Sequence, residues 1–259
     1  MPNFFQLKSY ITYWLDAVNE HSLHSPFFFD FYTRILKGKS VPAKGSEIES
    51  IRSKFLRENT LITLTDLGAG AINNKTASRT VAQIAQTSLS SRKFSQFYAR
   101  IIQHFKFTQV VELGTSLGIN TLYLASIPGT KVTTFEGDPH LVNRAEVLFD
   151  SMGMKVNIIG GNLDKTLSHH LQRSPRVDLA FVDANHRYEP TLHYAHELIS
   201  RIHEQSILIL DDIHYSPEME KAWYEIRNHR LVYGSVDLYR CGLLFFNPSL
   251  NKQHVVLQF

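Results

Sequence analysis

The chain has 259 residues, 43% hydrophobic and 20% charged, which is ample for one α/β core with an added segment but short for two independent cores. Its formal net charge is +3, and the lysines and arginines are interspersed with acids, which gives no support to a nucleic-acid partner. The single cysteine, Cys241, lies in an apolar run, so a disulfide framework is excluded and a reducing, cytoplasmic setting is expected.

At the start, "MPNFFQLKSYITYWLDAVNE" has Lys8 and Asp16 interrupting the apolar residues at helical spacing, which predicts an amphipathic helix and not a signal peptide. No apolar run reaches the roughly 18 residues of a membrane span, so no membrane partner is expected. In "EHSLHSPFFFDFY" the serine and proline predict a helix beginning at Pro26, with aromatics that pack this region onto a sheet; an acceptor pocket or a homodimer surface is the sharper alternative. Helical spacing continues to residue 104, with breaks at "GKSVPAKGS" and "TSLSSRK", so residues 1–93 are expected to form a helical appendage or lid. Inside it, "TLTDLGAGAI" (63–72) reads as a glycine-rich connector, or as a turn over a crevice with Lys75 or Arg79 reaching an anionic acceptor.

Past residue 105 the rhythm changes. The runs "QVVEL", "KVTTFE", "KVNIIG", "VDLAFVD" and "SILILDD" alternate with helical patterns, predicting an α/β fold whose parallel sheet is covered on both faces. "LVYGSVDLY", "CGLLFFN" and "HVVLQF" then follow with turns but no helix, predicting an antiparallel C-terminal edge.

Two glycine loops follow strand-like runs. A pyrophosphate needs glycines spaced G-x-G-x-x-G where bare amides meet the phosphates. At 114–118 the pattern is G-T-S-L-G, with Ser116 in place of the second glycine; at 68–73 it is G-A-G-A-I-N, with Asn73 in place of the third. Only the loop at 114–118 is followed by a second strand ending in an acid, Glu136, about 20 residues further on, where a carboxylate can grip ribose hydroxyls. A loop unsuited to pyrophosphate with a ribose-binding acid fits a nucleoside without phosphates, for which S-adenosylmethionine is the common ligand. Ser116 likewise disfavours a nicotinamide-dependent oxidoreductase.

At this point residues 94–247 resemble class I S-adenosylmethionine-dependent methyltransferases, and within them the catechol and caffeoyl-CoA O-methyltransferase-like group. The resemblance implies a Rossmann-like methyltransferase domain over 94–259 and an O-directed transfer to a small-molecule acceptor. "VVELGTSLGINTLYLA" is similar to the first motif, which implies Glu112 on the ligand's ammonium and Gly114, Ser116 and Gly118 around its methionyl part. "TFEGDP" implies Glu136 on the ribose with Gly137 beside it, and "IIGGNLDKTL" implies Gly161, Asn162 and Leu163 near adenine. "FVDANHRY" places Asp183 at the reaction centre, as a catalytic and cofactor-contacting residue, and "LILDDIH" matches the end of the fifth strand.

In the catechol-type enzymes a divalent ion is held at these strand ends, and the matching residues are Asp183, Asp211 and Asp212, whose hard oxygens would suit Mg²⁺ or Ca²⁺. The pattern departs from the group in Asp212, where an asparagine is usual, and in His186, where a lysine is usual. His186 can instead serve as a metal-free general base, with His214 as the alternative base. His193, His196 and His203 in "HYAHELISRIH" read as exposed helix residues. A catalytically silent nucleoside-binding module or partner subunit is the competing reading, and turnover to S-adenosylhomocysteine separates the two.

Overall fold

A computed structural model describes residues 4–65, 76–174 and 176–259. In chain order the elements are α1 (Phe4–Asp16), α2 (Pro26–Asp30) running into a π-helical turn (Phe31–Leu36), α3 (Gly45–Phe55), β1 (Leu61–Thr65), β2 (Thr76–Thr80), α4 (Val81–Ser88), α5 (Arg92–Phe105), β3 (Gln109–Leu113), α6 (Ile119–Ala125) and β4 (Lys131–Glu136). Then come α7 (Pro139–Ser151), β5 (Val156–Gly160), α8 (Leu163–Arg173), β6 (Val177–Val182), α9 (Tyr188–Ile199), β7 (Ile202–Asp211), α10 (Pro217–Arg227), β8 (Gly234–Asp237), β9 (Cys241–Phe245) and β10 (Gln253–Val256). The chain divides into two compact units, Lys39–Arg173 and Met1–Gly38 with Ser174–Phe259.

In the unit Lys39–Arg173, β3, β4 and β5 are parallel, paired from Gln109↔Lys131 to Leu113↔Phe135 and from Val132↔Val156 to Glu136↔Gly160. This register ends the three strands level, so the loops after Leu113, Glu136 and Gly160 share one edge, where ligands of such sheets bind. The core joins Ile48 and Phe55 of α3, Val81, Ile84 and Ala85 of α4, Leu122 and Tyr123 of α6 and Phe149 of α7. Asp138 starts α7 by accepting the amides of His140 and Leu141 just before Pro139 sets the first-turn φ.

The expectation of a helical N-terminal appendage needs a correction that goes beyond the strand-like run before Gly68. β1 and β2 form an antiparallel hairpin, from Leu61↔Thr80 to Thr65↔Thr76. The residues responsible are β-branched threonine and isoleucine, whose stiff side chains suit a pleated ribbon and carry little apolar periodicity. The glycine stretch 66–72 and Lys75 lie outside the described residues, while Arg79 is exposed on β2.

In the other unit the strand order is β10-β8-β9-β7-β6. β6 and β7 are parallel, and β9 is antiparallel to both β7 and β8, as expected for the edge. β10 departs from that expectation by running parallel to β8. After β9 the chain reverses once and passes beyond β8, so the returning strand opposes β9 and shares the direction of β8.

Pro26 does open α2, and Phe27, Phe28 and Phe31 meet Phe245 of β9 edge-on at centroid distances of 5.1, 5.7 and 5.4 Å, so these aromatics do pack the N-terminal segment onto strands. α1 is tied down by the Tyr13 hydroxyl donating to the Leu257 carbonyl at 2.7 Å and the Tyr239 hydroxyl donating to the Gln6 carbonyl at 2.9 Å. No helix among the described residues is long and apolar enough to cross a membrane.

Candidate functional site

The sequence-predicted residues fall into two groups, one in each unit. In Lys39–Arg173 the turn from β3 into α6 is built on left-handed backbone: Gly114, Ser116 and Gly118 have φ of 103°, 49° and 76°. A Cβ at Gly118 would also stand 2.8 Å from Phe149, so only glycine fits there. The amides of Gly114 and Thr115 both donate to the Phe135 carbonyl at 3.0 Å, which pins the start of the loop to the end of β4.

Glu136 is the hub of this edge. Its Oε2 accepts the Ser116 amide at 2.8 Å, and its Oε1 accepts the Asp138 amide at 3.0 Å. Burial raises its pKa, as does the charge of Asp138, while the amides of Asp138, Ser116 and Gly137 favour the ionised form. The carboxylate is thus held in one orientation by its own loops, with lone pairs left over for two sugar hydroxyls. Gly161, at φ 121°, donates its amide to the Glu136 carbonyl at 2.9 Å. Asn162 begins α8 by accepting the Asp164 amide at 2.8 Å, and Leu163 beside it is half-buried. Six of the predicted donor-site residues therefore sit along the shared edge with Glu136 and Gly137 at its centre.

Glu112 is assigned differently by the geometry. It has no exposed surface, and its carboxylate accepts the Asn120 amide at 2.9 Å, the Thr134 hydroxyl at 2.7 Å and the Thr121 hydroxyl. Three donors in a closed pocket replace the expected ligand ammonium, so Glu112 anchors the loop from below. Asn120 is the residue that sequence reasoning missed: with its NH₂ fixed on Glu112, its Oδ1 is buried and meets no hydrogen-bond donor among the described residues. The pairing fixes the amide's orientation, because a flipped side chain would set oxygen against carboxylate.

In the second unit Asp183 directly follows β6, and Asp211 closes β7 next to Asp212. Backbone strain concentrates here, with Asn185, His186 and Asp212 at φ of 66°, 41° and 54°, a conformation that side-chain-bearing residues rarely adopt and that gathers at functional sites. His186 Nε2 lies 3.3 Å from Asp183 Oδ1. Burial alone would lower the His186 pKa, but the Asp183 hydrogen bond and the charges of Asp183, Asp212 and Asp211 outweigh it and raise it.

The three-carboxylate metal set does not form. Asp211 is wholly buried and is clamped by Arg240, whose Nη2 donates to Oδ2 at 2.9 Å and Nε to Oδ1 at 3.2 Å. Burial and Asp183 push the Asp211 pKa up to about 7 against the pull of Arg240. Among the described residues, the group able to hold an ion is Asp183, His186 and Asp212, whose donor atoms lie within 4.8 Å of one another. An imidazole and two carboxylates fit a borderline transition ion better than the Mg²⁺ or Ca²⁺ expected from all-oxygen ligands.

Comparison with known proteins gives this arrangement its context. Residues 111–213 match the family model described as a methyltransferase domain. No curated protein matches the chain. Among solved structures, cofactor-bound Rv0187 from MTB is 16% identical at a TM-score of 0.59, over 85% of this chain and 94% of that one. The SAH-bound methyltransferase PaMTH1 of Podospora anserina is 14% identical at 0.56, over 81% and 99%. The O-methyltransferase from Bacillus cereus in complex with SAH is 12% identical at 0.56, over 80% and 92%. At such identities the likeness is one of fold.

The other histidines singled out in the sequence stand apart from this group. His214 is buried between two carboxylates, with Nδ1 2.9 Å from Glu220 and Nε2 2.8 Å from Asp237, so both ring nitrogens are committed and it cannot act as the alternative base. His203 lies on β7, not on a helix, and its Nε2 is 2.8 Å from Asp178. His193 and His196 are exposed on α9, as expected.

Proposed function

We propose that the protein is an O-methyltransferase that moves the methyl group of S-adenosylmethionine to a small-molecule hydroxyl in a cytoplasmic setting. The observation that carries this reading is the Ser116 amide bound to Glu136 at the shared strand edge, which leaves a preset carboxylate for a ribose diol and glycine-built backbone for the methionyl end. Gly161, Asn162 and Leu163 border adenine in this reading. Asn120 replaces Glu112 as an acceptor of the donor's ammonium, its orphaned Oδ1 being a partner for a cationic N–H.

Methyl transfer asks for alignment and for removal of one proton. His186 is assigned the proton. With its Nε2 hydrogen directed at Asp183, the lone pair on Nδ1 takes the acceptor's hydroxyl proton as the new O–C bond forms; the old C–S bond breaks and leaves its electron pair on sulfur. Asp183 holds the ring's orientation and steadies its positive charge. A divalent ion, when bound, would be held by Asp183, His186 and Asp212 and would acidify the hydroxyl. Because Arg240 already supplies a permanent cation beside Asp211, we favour the metal-free use of His186.

In function we divide the chain into an acceptor-side appendage, 1–93, and a methyltransferase domain, 94–259, which differs from its division by compactness. A homodimer is supported by α1, where Phe4, Leu7, Ile11 and Trp14 follow the alternating spacing of a helix-pairing seam and stand exposed, Phe4 at 84% and Trp14 at 65%. The direct test of function is production of S-adenosylhomocysteine from a panel of phenols, hydroxy acids and sugars, with and without chelator. Turnover in chelator supports His186 as base; no turnover with any acceptor, despite donor binding, favours the silent module.

A further inference from the structure

Ser116 is an unusual choice for its position. Its φ of 49° is in the left-handed region, where glycine costs least, yet the chain places a serine there. Its hydroxyl lies 2.8 Å from the hydroxyl of Ser88, the last residue of α4. A hydroxyl has one hydrogen to give, and the Ser88 hydroxyl donates it to the Ile84 carbonyl at 2.9 Å. Either hydroxyl could donate at this distance, and placing the Ser88 hydrogen on the Ile84 carbonyl assigns the one between the two serines to Ser116. The result is a one-way relay from Ser116 to Ser88 to a carbonyl of α4.

α4 is built to hold its end of this relay still. Thr80 and Gln83 close its N-terminus with a capping box: Thr80 Oγ1 accepts the Gln83 amide at 3.2 Å, and Gln83 Oε1 accepts the Thr80 amide at 2.9 Å. Val81, Ile84 and Ala85 are buried in the same cluster as Leu117, Ile119 and Leu122. The helix is thus fastened both to the hydrophobic core beneath the donor loop and, through Ser88, to the loop.

We propose that Ser88 is a positioning residue for the methyl donor, acting through Ser116. By taking the Ser116 hydrogen, Ser88 turns the Ser116 oxygen into a pure acceptor, which suits the ammonium of an amino-acid tail and repels its carboxylate. This rests on the donor reading above, and it gives the segment preceding residue 94 a part in donor recognition.

The test is a double-mutant cycle read by calorimetry with two ligands: S-adenosylhomocysteine, and 5′-methylthioadenosine, which keeps the nucleoside and lacks the amino-acid tail. Ser88→Ala is expected to weaken S-adenosylhomocysteine about five-fold or more, the worth of one ordered hydrogen bond, while changing 5′-methylthioadenosine less than two-fold, and Ser88→Thr should restore binding. In a Ser116→Gly background Ser88→Ala should have no further effect. Equal loss for both ligands, or the same loss with Ser116 already replaced, would mean that Ser88 merely supports the fold and would overturn the proposal. If the wild-type protein binds neither ligand, the donor reading itself fails and takes the proposal with it; wild-type binding with an indifferent Ser88→Ala overturns the proposal alone.

Discussion

The Ser116 amide donates to the Glu136 carboxylate at 2.8 Å across 20 positions of sequence. The glycine loop and the strand-end acid are therefore one object, a carboxylate oriented by the loop that would surround the rest of its ligand. Preset orientation matters because a free carboxylate would lose rotamer freedom on binding, and here that loss is incurred on folding.

Gly118 is the position least tolerant of change in this loop. Gly118→Ala combines a φ of 76° with a methyl 2.8 Å from the Phe149 ring, so it should destabilise the protein by about 1–3 kcal/mol and disturb the loop. Denaturant unfolding gives the first quantity, and loss of S-adenosylhomocysteine binding by the folded variant gives the second.

His186→Asn keeps the size and a hydrogen-bonding edge but removes the proton acceptor. Once an acceptor is found, turnover should fall about 10²–10⁴-fold with donor affinity unchanged. An unaltered turnover rate would remove His186 from the mechanism and return attention to an ion at Asp183 and Asp212.

Arg240→Ala would leave Asp211 buried without its cation, a change expected to cost about 2–4 kcal/mol at neutral pH, with Arg240's partial exposure keeping it from the upper end. The sign of the pH dependence follows from Asp211 itself. Its pKa of about 7 when folded stands above that of an unfolded aspartate, so the folded state holds the extra proton and stability falls as pH rises from about 4 to 7. Asp211→Asn should flatten that part of the stability curve, as measured by urea unfolding across the window.

Ile11→Glu puts a charge in the middle of the exposed α1 seam. Sedimentation should show a dimer for the wild type and a monomer for the variant, with S-adenosylhomocysteine binding intact. A wild-type monomer at tens of micromolar would leave the seam without its proposed partner.

The alternation of apolar runs and helices after residue 105 made the α/β sheet legible, because buried parallel strands are continuous runs of Val, Ile and Leu. Glu136 was legible for the same reason, as the acid ending such a run. Of the β1–β2 hairpin only the strand-like run before Gly68 was legible; β2, Thr76–Thr80, carries almost no apolar rhythm. The direction of β10 was hidden because it depends on which neighbour the strand reaches, not on its own residues. Sequence could not show Arg240 either: its partner Asp211 is 29 positions away, and nothing local in "LYRCG" marks the arginine as the answer to a buried carboxylate. Glu112 illustrates the opposite error, for the motif led to a ligand contact where folding had already filled the carboxylate with Asn120, Thr121 and Thr134. Asn120 carried a faint signal, being a polar residue in the first turn of the helix that follows the loop.

The most direct measurement is calorimetric titration of wild type and Glu136→Ala with S-adenosylhomocysteine. Removing a charge-assisted, preset partner of the ribose should weaken binding by about 1.5–3 kcal/mol, roughly 10- to 150-fold. Equal affinity for the two proteins would contradict the account, because the carboxylate that organises the whole edge would then have no part in holding the donor.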